Sequence, residues 1–417
     1  MNINRLLEPL ECRCGRRHTC DIEAVYVEHG AILRLAELCP EESILLVADE
    51  NTYSAAGVAA EAALVGRKIS RVIFSGAEIL IPDERAIEEI CSKLADSSLI
   101  VGVGSGVIQD LCKYVSLKTG IPYYVVATAP SMDGYASVGA AMIWENMKVT
   151  FNCHVPEVII GDVDVLKDAP MEMIRAGYGD ILGKYSCLND WKLSHIVNGE
   201  YFCQYVHVLM MDMVVKTQDL GAKLQNRESE AIQTLMEALA GAGVAMALVG
   251  NSRPASGSEH HMSHYYEITG IVHNTPYLMH GTDVVCSAVY TQQLREELLK
   301  LPEIPALREF NREKWEANIH RIYGAAADGV IALQNKLGWY QQNRYDTYAA
   351  KWNEIRRVLE NAPTAERMKE YLNSVGLSLS AYTQLYGEEK IRDGIAYAKD
   401  LKDRYSVLWM YYELILQ

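Results

Sequence analysis

No stretch of the 417-residue sequence reaches the length and apolarity expected of a membrane span. The most apolar run, around Leu239 to Val249, is too short and too rich in Gly and Ala. Positive charge is also scarce: 39 Lys and Arg stand against 54 Asp and Glu, for a formal net charge of -15. A nucleic-acid binder needs a basic stripe, so that class is excluded. A small phosphorylated substrate is not, because a few local cations or a helix N-terminus can hold one phosphate. Met1 to Pro9 lacks an apolar core flanked by basic residues, so no secretory leader is expected. Internal repeats and low-complexity segments are missing too.

The 10 cysteines are scattered, several of them (Cys112, Cys187, Cys286) within apolar stretches. They read as buried thiols of a reducing, cytoplasmic compartment. Cys12-Arg-Cys14-Gly-Arg-Arg-His18-Thr-Cys20 has the outline of a zinc knuckle, but its spacings are too short for the usual paired Cys-x-x-Cys sites. A Gly-containing turn between two short extended arms is expected there, and these residues are not assigned to a metal.

The first third alternates strand and helix signals. Strands are expected at Ala24 to Val27, Ser43 to Asp49, Arg71 to Ser75, Ser98 to Gly104 and Tyr123 to Ala127. Helices are expected at Ala31 to Leu38, Ala55 to Leu64, Pro82 to Ala95 and Val107 to Thr119. Continuous apolar runs such as Ser43-Ile-Leu-Leu-Val-Ala-Asp49 suggest strands buried on both faces, hence a parallel, doubly wound sheet. Ligands bind outside the carboxyl ends of such strands. From about Val163 the pattern turns helical: Met171 to Leu193, Tyr201 to Leu220, Glu228 to Leu248, His260 to Val272, Gly281 to Leu299, Leu307 to Tyr323, Ala326 to Gln334, Tyr348 to Ala362, Thr364 to Val375 and Ile391 to Gln417. The expected organisation is an α/β dinucleotide-binding domain over 1–164 and an all-helical metal- and substrate-binding domain over 165–417.

Three clusters carry chemistry. Gly102-Val-Gly104-Ser-Gly106-Val-Ile-Gln-Asp110 follows a buried strand and opens a helix. Glycines admit a pyrophosphate to the backbone, and the helix N-terminus offers free N–H groups. The spacing is neither the Rossmann fingerprint nor a Walker loop, and a tight strand-to-helix turn remains the plain alternative. Thr128-Ala-Pro-Ser131-Met-Asp133-Gly-Tyr-Ala-Ser137 places hydroxyls and a carboxylate after the next strand, either as a cradle for ribose and substrate hydroxyls or as a capped turn. Asp180, in a glycine-rich helix, joins five of the chain's 11 histidines: His260, His261, His264, His273 and His280. One Asp and two His can hold a divalent cation with positions left open for substrate. Spacing alone does not choose the pair, although His261 is displaced from His260 and His264 on the helix wheel.

In this order the motifs resemble the glycerol-1-phosphate dehydrogenase family, which groups with the iron-type alcohol dehydrogenases, glycerol dehydrogenases and dehydroquinate synthases. The likeness runs from Asp49 to the helix after His280, and the helical tail past Leu299 is similar to the bacterial branch. It implies an NAD(P)-dependent, metal-dependent dehydrogenase that interconverts dihydroxyacetone phosphate and sn-glycerol 1-phosphate, in a cytoplasmic homodimer. By the same resemblance Asp49, Gly106, Val107, Ile108, Gln109, Asp110, Thr128, Ser131 and Ser137 would contact NAD(H) or NADP(H). Asp180, His260 and His280 would ligate zinc, nickel or iron. Asp133 and His264 would be catalytic and, with Asp180, substrate-binding. Asp49 would repel a 2′-phosphate and so tilts the cofactor toward NAD. Where the family often has Glu two residues after the last ligand, this chain has Thr282, then Asp283. The synthase's Gly-Gly-Lys is replaced by Gly139-Ala140-Ala141, which disfavours that reading. A glycerol dehydrogenase is the main alternative, and a dinucleotide or metal sensor a more distant one.

Overall fold

The computed structural model describes residues 3–39, 43–144, 147–307 and 309–416. Two short strands come first, β1 (Leu10–Glu11) and β2 (Arg17–His18), paired as an antiparallel hairpin. A six-stranded sheet follows, with strands β3 (Ala24–Glu28), β4 (Ser43–Asp49), β5 (Lys68–Phe74), β6 (Leu99–Gly104), β7 (Tyr123–Ala127) and, later in the chain, β10 (Val158–Asp162). Their spatial order is β3-β10-β7-β6-β4-β5, and every pairing is parallel. Between β7 and β10 the chain makes a hairpin of β8 (Gly139–Trp144) and β9 (Met147–Asn152).

The sheet is buried on both faces, as the apolar runs require. Ile44, Leu46, Ala48, Val101, Val103, Tyr124, Val126 and Ile160 pack with Ala31, Leu35, Ala56, Ala60 and Leu64 from the helical segments on one side. The other face meets helix α1 (Gly106–Thr119), whose Cys112 lies under Gly102. The expected α/β portion is therefore observed, with two additions. β10 is a strand that the sequence pattern does not announce, and it sits inside the sheet between β3 and β7. The β8–β9 hairpin is likewise unannounced.

Beyond the sheet the chain is helical: α2 (Met171–Asn198), α3 (Gln204–Thr217), α4 (Ser229–Val249), α5 (Ser258–His273), α6 (His280–Leu299) and further helices, among them α7 (Leu379–Tyr397). Arg308, inside the expected helix Leu307 to Tyr323, lies outside the described residues, and that helix begins at Arg312. The expected terminal helix Ile391 to Gln417 is interrupted between Leu401 and Val407, and Gln417 is outside the described residues.

The chain divides into two compact units, not at 164/165 but inside α2. The first comprises Met1–Gly177 and Ala222–Gly250, the second Tyr178–Gly221 and Asn251–Gln417. Helix α4 thus belongs with the sheet, where it packs on β3 and on the turn Gly134–Ala136. It corrects one sequence expectation: its 21 residues are long and apolar enough to cross a membrane by length and composition. Here it is a core helix, with Leu235, Leu239, Ala242 and Val244 buried.

The second unit contains a histidine whose burial has a measurable consequence. Burial and the nearby Lys192 push the His207 imidazole down to about 4. In the unfolded chain it titrates near 6.5. The neutral ring therefore contributes stability that is complete above about pH 6.5 and lost as pH falls toward 4, because the unfolded state takes up the proton first. His207→Gln should shift the unfolding free energy relative to the unmodified protein by about 2–3 kcal/mol between pH 7 and pH 4. Urea titrations at the two pH values check this, and parallel curves would refute it.

Candidate active site

The carboxyl ends of β4, β6 and β7 lie side by side. Val47 pairs with Gly102 and Gly104 with Ala127, so Asp49, Gly104 and Ala127 end their strands at one level. The strand order reverses between β4 and β6, since the chain runs from β4 outward to β5 and returns to the far side of β4. That is the position where an open parallel sheet offers a crevice. Around it stand Asp49, the start of α1, and the segment after β7 that carries Thr128, Ser131, Asp133 and Ser137.

The individual side chains divide into two groups. Asp49 caps the short helix after β4, accepting from Thr52 N at 2.8 Å. Ile108 is buried, and a Cβ on Gly104 would approach it to 2.7 Å. Gln109 is buried and donates to the carbonyls of Gly102 and Gly104 at 3.0 and 3.2 Å. These two side chains thus hold the turn rather than face outward. What the turn offers is backbone: Gln109 N already bonds Ser105 O, whereas the N–H groups of Gly106, Val107 and Ile108 have no partner within the helix. Thr128 is buried, and its N–H reaches Gly104 O at 3.3 Å. Ser137 Oγ donates to Gly134 O at 3.1 Å. A residue the sequence reading missed ties these parts together. Lys113 is fully buried and donates to Gly139 O at 2.8 Å and Gly134 O at 3.1 Å, with Ser137 Oγ and Asp110 Oδ1 each at 3.5 Å. It neutralises Asp110 and fixes the loop that bears Asp133.

The second unit gathers the metal-type donors. Asp180 comes from α2, His260 from α5 and His280 from the first position of α6. One ligand atom from each lies within 4.8 Å of the others. His260 Nε2 is 3.6 Å from Asp180 Oδ1. The His260 and His280 rings are 5.0 Å apart between centroids, and His264 stands 6.1 and 5.6 Å from them. Asp180 and His260 are buried, while His264 and His280 are partly exposed. Two imidazoles and a carboxylate in a low-dielectric setting are a donor set for a divalent cation.

Their supports are as telling as the donors. Glu259 Oε1 lies 2.7 Å from His260 Nδ1 and also accepts from Gly257 N at 2.9 Å. Ser263 Oγ is 3.2 Å from His280 Nδ1. Each partner engages Nδ1 and so leaves Nε2 as the ligating atom, the usual outer-shell arrangement for metal-bound histidine. Lys184 Nζ is 2.7 Å from Asp180 Oδ1, and with both histidines it holds that carboxyl down at about 2 against the opposing effect of burial. Burial pushes Glu259 in the other direction, upward. His261 is buried apart from the triad. Burial, helped by Arg404, Lys402 and Arg253, holds it well below its ordinary range, so it stays neutral. Asp283, which follows the position where Glu is frequent, accepts from Tyr386 Oη of α7 at 2.8 and 2.9 Å. Two cations that could anchor a phosphate are already engaged: Lys184 by Asp180 and Ala255 O, Arg253 by Glu200 at 2.6 Å and Tyr405 O. Asp133 belongs to the first unit and the triad to the second.

The chain is similar to known proteins over most of its length. Residues 26–170 match the family described as iron-containing alcohol dehydrogenase. The chain is 35% identical over 302 residues to the glycerol-1-phosphate dehydrogenase [NAD(P)+] of Halalkalibacterium halodurans, covering 69% of this chain and 76% of that protein. It is 33% identical over 374 residues to the enzyme of the same name from Geobacillus thermodenitrificans, covering 88% and 86%. Among solved structures, an iron-containing alcohol dehydrogenase from Corynebacterium glutamicum superposes with a TM-score of 0.60 at 16% identity, covering 97% of each chain. That last likeness concerns the fold alone.

Proposed function

The chain belongs to the glycerol-1-phosphate dehydrogenase family, among the iron-type alcohol dehydrogenases, and from that premise we propose how its own residues carry the reaction. It is an NAD(P)- and metal-dependent dehydrogenase that interconverts dihydroxyacetone phosphate and glycerol 1-phosphate. The observation that supports this reading best is the Asp180–His260–His280 cluster with its outer partners. When bound, a divalent cation, zinc or nickel in our reading with iron also compatible, supplies Lewis-acid polarisation of the substrate carbonyl, and the nicotinamide supplies the hydride.

The protein's part is to hold and to orient. Asp180, His260 and His280 hold the cation, with Glu259 and Ser263 fixing the two rings. Lys184 keeps Asp180 ionised and turned toward the histidines. Asp133 accepts a hydrogen bond from the substrate hydroxyl next to the carbonyl. His264, one helical turn from His260, delivers or removes the proton at the substrate oxygen as a general acid–base side chain. The backbone N–H groups opening α1 receive the pyrophosphate. Thr128, Ser131 and Ser137 line the ribose path, and the Asp49 carboxylate favours NAD over NADP. We place the enzyme in the cytoplasm, as a homodimer.

The direct test is NADH oxidation by metal-reconstituted protein with dihydroxyacetone phosphate and dihydroxyacetone side by side. The phosphorylated ketone should be preferred by roughly a hundredfold in kcat/KM, since hydrogen bonds to a charged group contribute about 1.5–3 kcal/mol each. Chelation should abolish the rate. Preference for the free ketone would instead move the protein to the glycerol dehydrogenases.

A further inference from the structure

The N-terminal hairpin places three donors of another kind together. β1 and β2 pair Leu10 with His18 and Glu11 with Arg17, and the turn between them closes through Cys12 N to Arg16 O at 3.1 Å and Gly15 N to Cys12 O at 3.0 Å. Gly15 takes the left-handed conformation, φ +84°, that such a turn needs. The expected turn between extended arms is therefore present, and it has a consequence that the short spacing conceals. It folds Cys12, Cys14 and His18 onto one another, with one ligand atom of each within 4.8 Å of the others.

From this geometry we propose a structural zinc site in the hairpin, with Cys12 Sγ, Cys14 Sγ and His18 Nε2 as ligands. Cys14 Sγ and His18 Nε2 are 3.4 Å apart. Zinc–sulfur and zinc–nitrogen bonds of about 2.3 and 2.0–2.1 Å at a tetrahedral angle would set them about 3.6 Å apart. His18 is fully buried, and its Nδ1 lies 2.6 Å from the carbonyl of Leu248 near the end of α4. That bond places the ring proton on Nδ1 and turns the Nε2 lone pair toward the thiols, the arrangement seen in zinc-bound histidine. Thiolate and imidazole donors select zinc among the common divalent ions.

The hairpin is small. Its strands are two residues each, only His18 among those four residues is buried, and isolated hairpins of this size are marginal in water. A metal clip of this kind closes the turn and, through His18, fastens it to α4. This site is chemically distinct from the Asp180–His260–His280 cluster, which contains no sulfur.

That difference makes the test selective. Cobalt(II) is loaded into the full-length protein and the near-ultraviolet spectrum is read for thiolate-to-cobalt charge transfer. A sulfur-free centre contributes none of this absorption. The band should appear in the unmodified protein, persist in His280→Ala, and vanish in Cys12→Ser/Cys14→Ser. Zinc content of the protein as purified should fall by one equivalent per chain in the double variant. A cobalt-loaded protein without the band, or a band that survives the double substitution, would overturn the site. Neither reading depends on turnover, so failure of this proposal is separable from failure of the catalytic one.

Discussion

His280→Ala will lower kcat/KM by about a thousandfold or more while NAD affinity changes little. The ring is one of three donors in its cluster, with Asp180 and His260. Its loss leaves a carboxylate and one imidazole, too few to fix a cation in an oriented position. Lewis-acid stabilisation contributes several kcal/mol to such reactions, and each 1.36 kcal/mol is a factor of ten. The substitution is mild for the fold, because His280 is partly exposed at the first position of α6 and its side chain gives up one hydroxyl contact, with Ser263. The residues proposed for the dinucleotide belong to the other unit, so cofactor binding reports separately. Steady-state kinetics, metal analysis and NAD titration on the same preparation form the check. Near-normal turnover in this variant would remove His280 from the ligand set.

Gly179→Ala will be nearly as damaging, by another route. A Cβ at Gly179 would lie 2.3 Å from Gly281 O and 2.9 Å from Val285 Cγ1, with helix backbone on both sides. The clash falls on the residue next to His280 and beside Asp180, so relief must move two donors apart. Overpacking of this kind costs about 1–3 kcal/mol. Displacing the supports of a metal site lowers affinity by about 10–100-fold. Gly329→Ala is the matching control: it lies in a helix with nothing within 4 Å of the added carbon, and it should stabilise by up to about 1 kcal/mol. Urea midpoints and metal affinity for both variants decide the matter. If Gly179→Ala retained both, the close helix approach would carry no functional weight.

That pair also shows where the sequence is readable and where it is not. Gly177, Gly179 and Gly183 weaken a helix by local propensity, yet α2 runs through all three. Each is a point of contact, with Pro130 O, Gly281 O and Val284 as the nearest neighbours of an added carbon. Propensity sees the entropy cost of glycine and not the neighbour that demands it. Apolar runs such as Ser43–Asp49 were readable because their length suits a strand buried on both faces and falls short of a helix. β10 escaped notice because Val158-Ile-Ile160 is too short a run to separate strand from helix start. The candidate metal donors were legible as a cluster of histidines, and the resemblance supplied the choice among them that the structure brings together. Glu259, Lys184 and Lys113 were not, since a buried charge acquires its meaning only from partners that the fold brings to it, such as Gly134 and Gly139 for Lys113. The closeness of Cys12, Cys14 and His18 was not legible for a geometric reason: a two-residue-strand hairpin brings donors together at spacings shorter than those of familiar zinc motifs.

The place of α4 bears on how the chain is made. The first compact unit needs residues Ala222–Gly250, yet these are translated only after Tyr178–Gly221 of the second unit. At about 5–20 residues per second, the sheet waits on the order of ten seconds for the helix that covers part of it. During that interval the apolar surface that will receive Leu235, Leu239 and Val244 has no native cover. The nascent chain therefore exposes aggregation-prone surface at that stage. A fragment cut at 164 or 177 would keep the nucleotide-type turn but leave that surface exposed for good. Anyone isolating the sheet for study must carry α4 with it, for instance by joining Gly177 directly to Ala222 and ending at Gly250.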